Sequence, residues 1–151
     1  MRVSAKADYA VRAAAELAAE TDGPIKGERL AEAQDIPLQF LEHILLELKH
    51  HGIVRARRGA KGGYWLAKPA DAVTIADVVR AVEGPIAHVQ SAPPESIAYR
   101  GHAEHLQEVW IAVRANLRAV LEHVTLADLV SGDLPPVVAE LTGSEDAWAP
   151  R

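Results

Sequence analysis

Apolar positions recur along this chain with two different periods, and the switch between them lays out its architecture. From Ser4 to about Ala19, Tyr9, Ala13, Leu17 and neighbouring alanines share one helical face behind a serine that can cap the first turn. Thr21-Asp22-Gly23-Pro24 reads as a turn. Gly27 to Gln34 predicts a short second helix with Leu30 and Ala31 inward, although Lys26-Gly27 stands where Ser or Thr would cap it. Asp35-Ile36-Pro37 turns the chain again, and Pro37 suits the start of a third helix, Leu38 to His51. Its apolar residues Phe40, Leu41, Ile44, Leu45 and Leu48 step by three and four, and Gly52 ends it.

The period then shortens to that of extended chain. Residues 53–57 and 63–67 are strand-like runs around a glycine-rich tip, Arg58-Gly59-Ala60-Lys61-Gly62. A capping box, Thr74 with Asp77, opens a fourth helix in which Ile75, Val78, Val79 and Val82 point inward, and Gly84-Pro85 ends it. Residues 86–101 have no period; so long a loop is either functional or mobile. His102 to His123 gives the clearest helix, where Leu106, Trp110, Val113, Leu117, Val120 and Val124 follow one another at alternating steps of four and three. Such a seam pairs with its own copy or packs on its own domain, and a symmetric dimer also accounts for DNA readout through two half-sites. Thr125 opens a short helix, Leu126 to Val130; beyond it the chain is expected to be loosely ordered, apart from about Pro136 to Leu141.

The expected fold is mainly α with a small β-hairpin. A winged helix-turn-helix domain spans 1–84, a loop 85–101, a long dimerisation helix with a short following helix 102–130, and a flexible tail 131–151. Hydrophobic residues make up 49% of the chain and aromatics only 5%, so Ala, Val and Leu build the core, which favours helices. No run is long enough to cross a membrane, and the N-terminus lacks a signal-peptide core, so a cytoplasmic protein is expected. There is no cysteine, which excludes disulfides, thiolate zinc sites, cysteine nucleophiles and clusters held by cysteines. Nucleophile-elbow, phosphate-loop and HExxH motifs are missing, and the glycine-rich run sits in a hairpin rather than before a helix, so no enzyme is expected.

Charge gives the pattern a direction. The net −5 is a sum over unlike halves: residues 1–69 carry a balance of +2 and residues 70–151 one of −7. Lys49, Arg55, Arg57, Arg58, Lys61 and Lys68 occur between 49 and 68 without a single acid. Cations on such a hairpin displace counterions from a phosphate backbone, and an arginine on a thin loop enters the minor groove; solubilising charge on a plain hairpin is the alternative. In a DNA complex the third helix would lie in the major groove, with Gln39 suited to adenine, Glu42 to cytosine, and His43 as a third candidate. Each can equally be an ordinary surface residue.

Four stretches together carry a resemblance: M-R-V-S-A-K-A-D-Y-A-V-R-A at the start, L-Q-F-L-E-H-I-L-L-E-L, the wing R-R-G-A-K-G-G-Y-W-L-A-K-P, and T-I-A-D-V-V-R-A-V-E-G-P. Over roughly residues 1–130 the chain resembles the IscR/NsrR/CymR-type ("Rrf-two") bacterial winged-helix regulators. The resemblance implies a homodimeric transcription factor, usually a repressor, that binds an inverted repeat of double-stranded DNA. It implies a minor-groove role for Arg58, recognition-helix roles for Gln39, Phe40 and Glu42, and backbone contacts for Lys6 and Tyr9. Many members sense through a cluster held by three cysteines, and the corresponding segment here, His88 to His105, has none. Asp8 matches a non-cysteine ligand of nitric-oxide-sensing members, but without thiolates no iron–sulfur cluster is expected. His102 with His105, as an i, i+3 pair, and His88 with Asp8 are the remaining metal candidates. A small organic effector near Trp110 and Tyr99, or a constitutive repressor, are the other options. A winged-helix adaptor that binds protein rather than specific DNA is the competing function.

Overall fold

The computed structural model describes residues 2–150. Its first helix, α1 (Ala5–Ala19), is capped as expected: Ser4 Oγ accepts the backbone N–H of Ala7 at 3.0 Å. α2 (Gly27–Gln34) starts from Lys26 with no side-chain cap and ends at Asp35, which takes the left-handed conformation at φ 50°. α3 (Leu38–His50) follows Pro37. The hairpin strands β1 (Val54–Arg57) and β2 (Gly63–Leu66) pair antiparallel, Val54 opposite Leu66 and Arg57 opposite Gly63. Ile25 adds a third, one-residue rung: its N–H and carbonyl bond Tyr64 at 2.9 and 2.8 Å. α4 (Ile75–Glu83) carries the full Thr74–Asp77 capping box.

One core holds α1 to α4, the hairpin and a later helix together. Leu30, Leu41, Ile44, Leu45, Leu48, Val54 and Val78 are among its fully covered side chains. Phe40 is the exception within the α3 stripe: it is 45% exposed, one position off the buried face.

The long helix, α5 (Leu106–Leu121), is shorter than the periodicity implied. Gly101–Ala103 forms a single 3-10 turn, so His102 and His105 precede the helix and are not a pair on its face. Residues 102–105 are all exposed, and with nothing to pack against, the helix begins only at Leu106. Val124 also leaves the expected seam. It lies beyond the end of α5, is 6% exposed, and its carbonyl accepts the N–H of Ile75 at 2.9 Å. The following α6 (Leu126–Ser131), with its own Thr125–Asp128 capping box, returns to the N-terminal core, where Leu126 is fully covered. Thr74 and Thr125 form a β-bridge, and the Leu126 N–H bonds the Val73 carbonyl at 2.9 Å. Within 131–150 a further helix, α7 (Pro136–Thr142), forms and places Leu141 against α5. No helix among the described residues is long and apolar enough to cross a membrane.

Candidate nucleic-acid interface

Helix α3 turns Leu41, Ile44, Leu45 and Leu48 into the core and so leaves Gln39, Glu42, His43 and Leu46 exposed on its other side. Across from this face stands the wing. A cleft of about 480 Å³ separates them, and its walls include Lys26, Glu42, Lys49, Arg57 and Arg58. Among the described residues no acid forms an ion pair with Arg55, Arg57, Arg58 or Lys61, all of which are exposed. Their charge is therefore available to an anionic partner rather than spent within the chain.

Two glycines set the shape of the wing. Gly63 sits at φ 145° facing the third rung, where a Cβ would stand 2.5 Å from the Ile25 carbonyl oxygen. At Gly62 a Cβ would stand 2.0 Å from the Arg57 carbonyl oxygen. The loop then closes on itself: the Gly62 N–H bonds Gly59 O at 3.0 Å, and Arg57 Nη2 donates to Lys61 O at 2.9 Å. Lys26 Nζ donates to Gly59 O at 2.6 Å, which ties the tip to the start of α2. Lys26 was not apparent as part of this face from the sequence, because only the Ile25–Tyr64 rung brings it to the wing.

Helix α1 packs against α3 from behind. Lys6 Nζ lies 2.9 Å from the Glu47 carboxylate of α3, so its ammonium is engaged within the chain. The Tyr9 ring meets Phe40 edge-on, with centroids 5.7 Å apart and planes at 89°. The resemblance implies DNA-backbone contacts for both positions; the structure places both side chains against α3.

The C-terminal half presents a different surface. α5 contains no buried residue, and Val109, Ala112, Val113, Asn116, Leu117, Val120 and Leu121 line an apolar groove of about 630 Å³ with Leu141 of α7. Leu106 and Trp110, the other seam positions, are half-buried. The adjacent side of α5 is anchored within the chain: Gln107 Nε2 donates to the carbonyls of Pro94, Glu95 and Ile97, and Arg114 pairs with Glu95 at 2.6 Å. The Glu95 backbone N–H and then Arg114 hold the Glu95 carboxyl below its usual range. Near the end of α5, Arg80 and then Arg118 do the same to Glu122, joining α4 to α5.

The metal candidates do not converge. Asp8 pairs with Arg12 at 3.0 Å, and His105 stands 3.5 Å from Glu104 and 3.4 Å from Glu108. Among the described residues no group of three or more His, Asp or Glu side chains is arranged to hold a metal ion.

Comparison with known proteins agrees with this geometry. A family model described as Rrf2, iron-dependent transcriptional regulator, matches residues 3–132. An HTH-type transcriptional regulator of Mycobacterium tuberculosis is 48% identical over 142 residues, covering 93% of this chain and 88% of that protein. The HTH-type regulator CymR of Bacillus subtilis is 35% identical over 132 residues, covering 87% and 91%. The solved structure of CymR, the global cysteine regulator of B. subtilis, superposes with a TM-score of 0.75 at 32% identity, covering 87% of this chain and 98% of that one. That of T. potens IscR does so with 0.72 at 30%, covering 88% of each. An iron cluster held by thiolates does not fit here, because the chain offers no thiolate.

Proposed function

Because the chain belongs to the Rrf2 family of transcriptional regulators, we propose that it works as a homodimer that represses by occupying an inverted-repeat operator. It is a winged-helix regulator and not an enzyme. In this reading α3 enters the major groove of one half-site, where Gln39, Glu42 and His43 meet base edges. Arg58, with Arg55, Arg57 and Lys61, meets the phosphates and the neighbouring minor groove. Lys6, Tyr9 and Phe40 lie along the flanking backbone. The groove on α5 pairs with the same groove of a second copy, so two reading faces serve two half-sites. A dimer spanning both occludes the DNA it covers, which is why repression is the assigned outcome.

One observation carries this reading. Glu42 and Lys49 of α3 line one cleft with Arg57 and Arg58 of the wing, and among the described residues no acid forms an ion pair with those two arginines. The first test is to pass sheared DNA from the source organism over the purified protein at moderate salt and sequence what is retained. A few fragments sharing an inverted repeat are expected. Uniform weak retention would sink the reading and leave the protein-binding adaptor. On a recovered fragment, Arg58→Ala is expected to lower affinity and to reduce the slope of log K against log salt by about 1. An unchanged slope would remove Arg58 from the interface.

A further inference from the structure

Arg12 is the most heavily engaged cation behind the reading face, and the proposed DNA contacts do not include it. Its side chain is 33% exposed. Nη1 donates to Asp8 at 3.0 Å and Nε to Gln34 Oε1 at 3.1 Å, while Nη2 donates to the Gln34 backbone carbonyl. The guanidinium carbon also lies 5.2 Å from the centre of the Tyr9 ring. That ring meets Phe40 in the first turn of α3. One side chain thus reaches both sides of the turn between α2 and α3: Gln34 by hydrogen bonds, and Phe40 through the Tyr9 ring. Between them Asp35 holds a left-handed conformation, and Ile36 is 4% exposed.

We infer that Arg12 is a positioning residue for DNA reading. It clamps the turn between α2 and α3 to α1, so that Gln39, Glu42 and His43 keep their register to base edges, and it does so without touching the duplex. The inference rests on the DNA-binding function proposed above. A planar fork is needed, because three donors must reach Asp8, Gln34 Oε1 and Gln34 O while the plane covers an aromatic ring; lysine supplies a single rotating ammonium and meets none of these demands together.

The test compares Arg12→Lys and Arg12→Ala with the wild type in two measurements on the full chain. In the free protein, amide exchange over residues 35–43 is expected to quicken about tenfold in both variants, with the α1 and α4 core unchanged, as for a local opening. On an operator fragment recovered by the wild type, both variants are expected to bind about tenfold more weakly, roughly the loss of one base contact, with the same salt slope. A slope lower by about 1, or full affinity in Arg12→Lys, would overturn the inference by making Arg12 a phosphate contact. If the wild type does not prefer any fragment over a scrambled duplex, the DNA reading fails. The exchange measurement still decides the clamp, and unchanged exchange over 35–43 overturns it. Should Arg12→Ala not fold, Arg12→Lys and Gln34→Ala carry the same comparison.

Discussion

Helices α3 and α5 are both amphipathic and of similar length, yet α3 covers Leu41, Ile44, Leu45 and Leu48 to 1% exposure or less while α5 covers no residue to that degree. In α3 the apolar side is completed inside the chain, which frees its polar side for an outside partner. In α5 the polar side is completed inside, through Gln107, Arg114, Arg118 and Glu122, and the apolar side is left open. An apolar groove facing water is unfavourable in proportion to its area, at roughly 25 cal/mol per Å². The two helices therefore teach opposite lessons about partners: α3 is ready for a charged one, α5 for an apolar one.

The sharpest way to break the contrast is to cut the same chemistry from both helices. Leu45→Ala is expected to cost about 2–5 kcal/mol of unfolding free energy at every protein concentration, as for a fully covered core leucine. Val113→Ala is expected to cost about 1 kcal/mol, and its effect should grow as the protein is diluted if, as proposed, its partner surface is a second copy. Equal, concentration-independent losses in urea titrations would place the α5 groove inside a monomer core and end the comparison. Next in size, Gly63→Ala is expected to cost about 1–3 kcal/mol, since it forces a Cβ toward the Ile25 carbonyl at a left-handed φ. The damage should stay in the wing: DNA affinity falls, while sedimentation shows an unchanged dimer. A dissociated dimer would show the two regions to be less separate than their contacts imply.

The smallest expected effect is a pH response on the α5 side. Arg80 and Arg118 lower the Glu122 carboxyl below its ordinary value of 4.5. A carboxylate lowered by folding stabilises the folded state above its unfolded value, and that contribution disappears as pH falls through the lower, folded value. The melting temperature should therefore decline as pH drops from about 4.5, and Glu122→Gln should flatten part of that decline. An identical decline in the variant would show that the Arg80–Glu122–Arg118 group does not join α4 to α5 in solution. Exposed ion pairs of this kind are weak, so the change will be a few degrees at most.

The helices of the N-terminal half were legible because their signals are local. Ser4 and the Thr74–Asp77 box fix where α1 and α4 start, while Gly52 follows the end of α3 and Gly84 that of α4. Features made by distant contacts were not legible. A single residue, Ile25, pairing with Tyr64 has no period to detect, so neither the third rung nor the place of Lys26 at the wing could be read. The heptad-like steps through Val124 were misleading for a related reason: an apolar residue facing its own core and one facing a partner look alike in sequence. His102 and His105 were counted as helical because the pattern extends backwards without penalty, whereas the chain needs a packing surface to hold a helix, and that begins at Leu106. Of the candidate interface, the exposure of Gln39, Glu42, His43 and the wing cations is readable from the helical and strand periods. The place of Arg12 is not, since only its i, i+4 spacing from Asp8 is visible before folding.

The bridge between Thr74 and Thr125 gives the molecule an insertable part. The chain leaves the N-terminal core after Glu83 and comes back at Val124, directly beside the start of the helix it has just left. Everything between is a cassette with its two feet side by side. In the proposed dimer, adding or removing whole turns of α5, each about 5.4 Å, would change how far apart the two copies hold their α3 and wing faces while leaving those faces themselves untouched. On that reading, half-site spacing becomes a separately adjustable trait, one that can be changed, by evolution or by an engineer, without rewriting the residues of α3 and the wing.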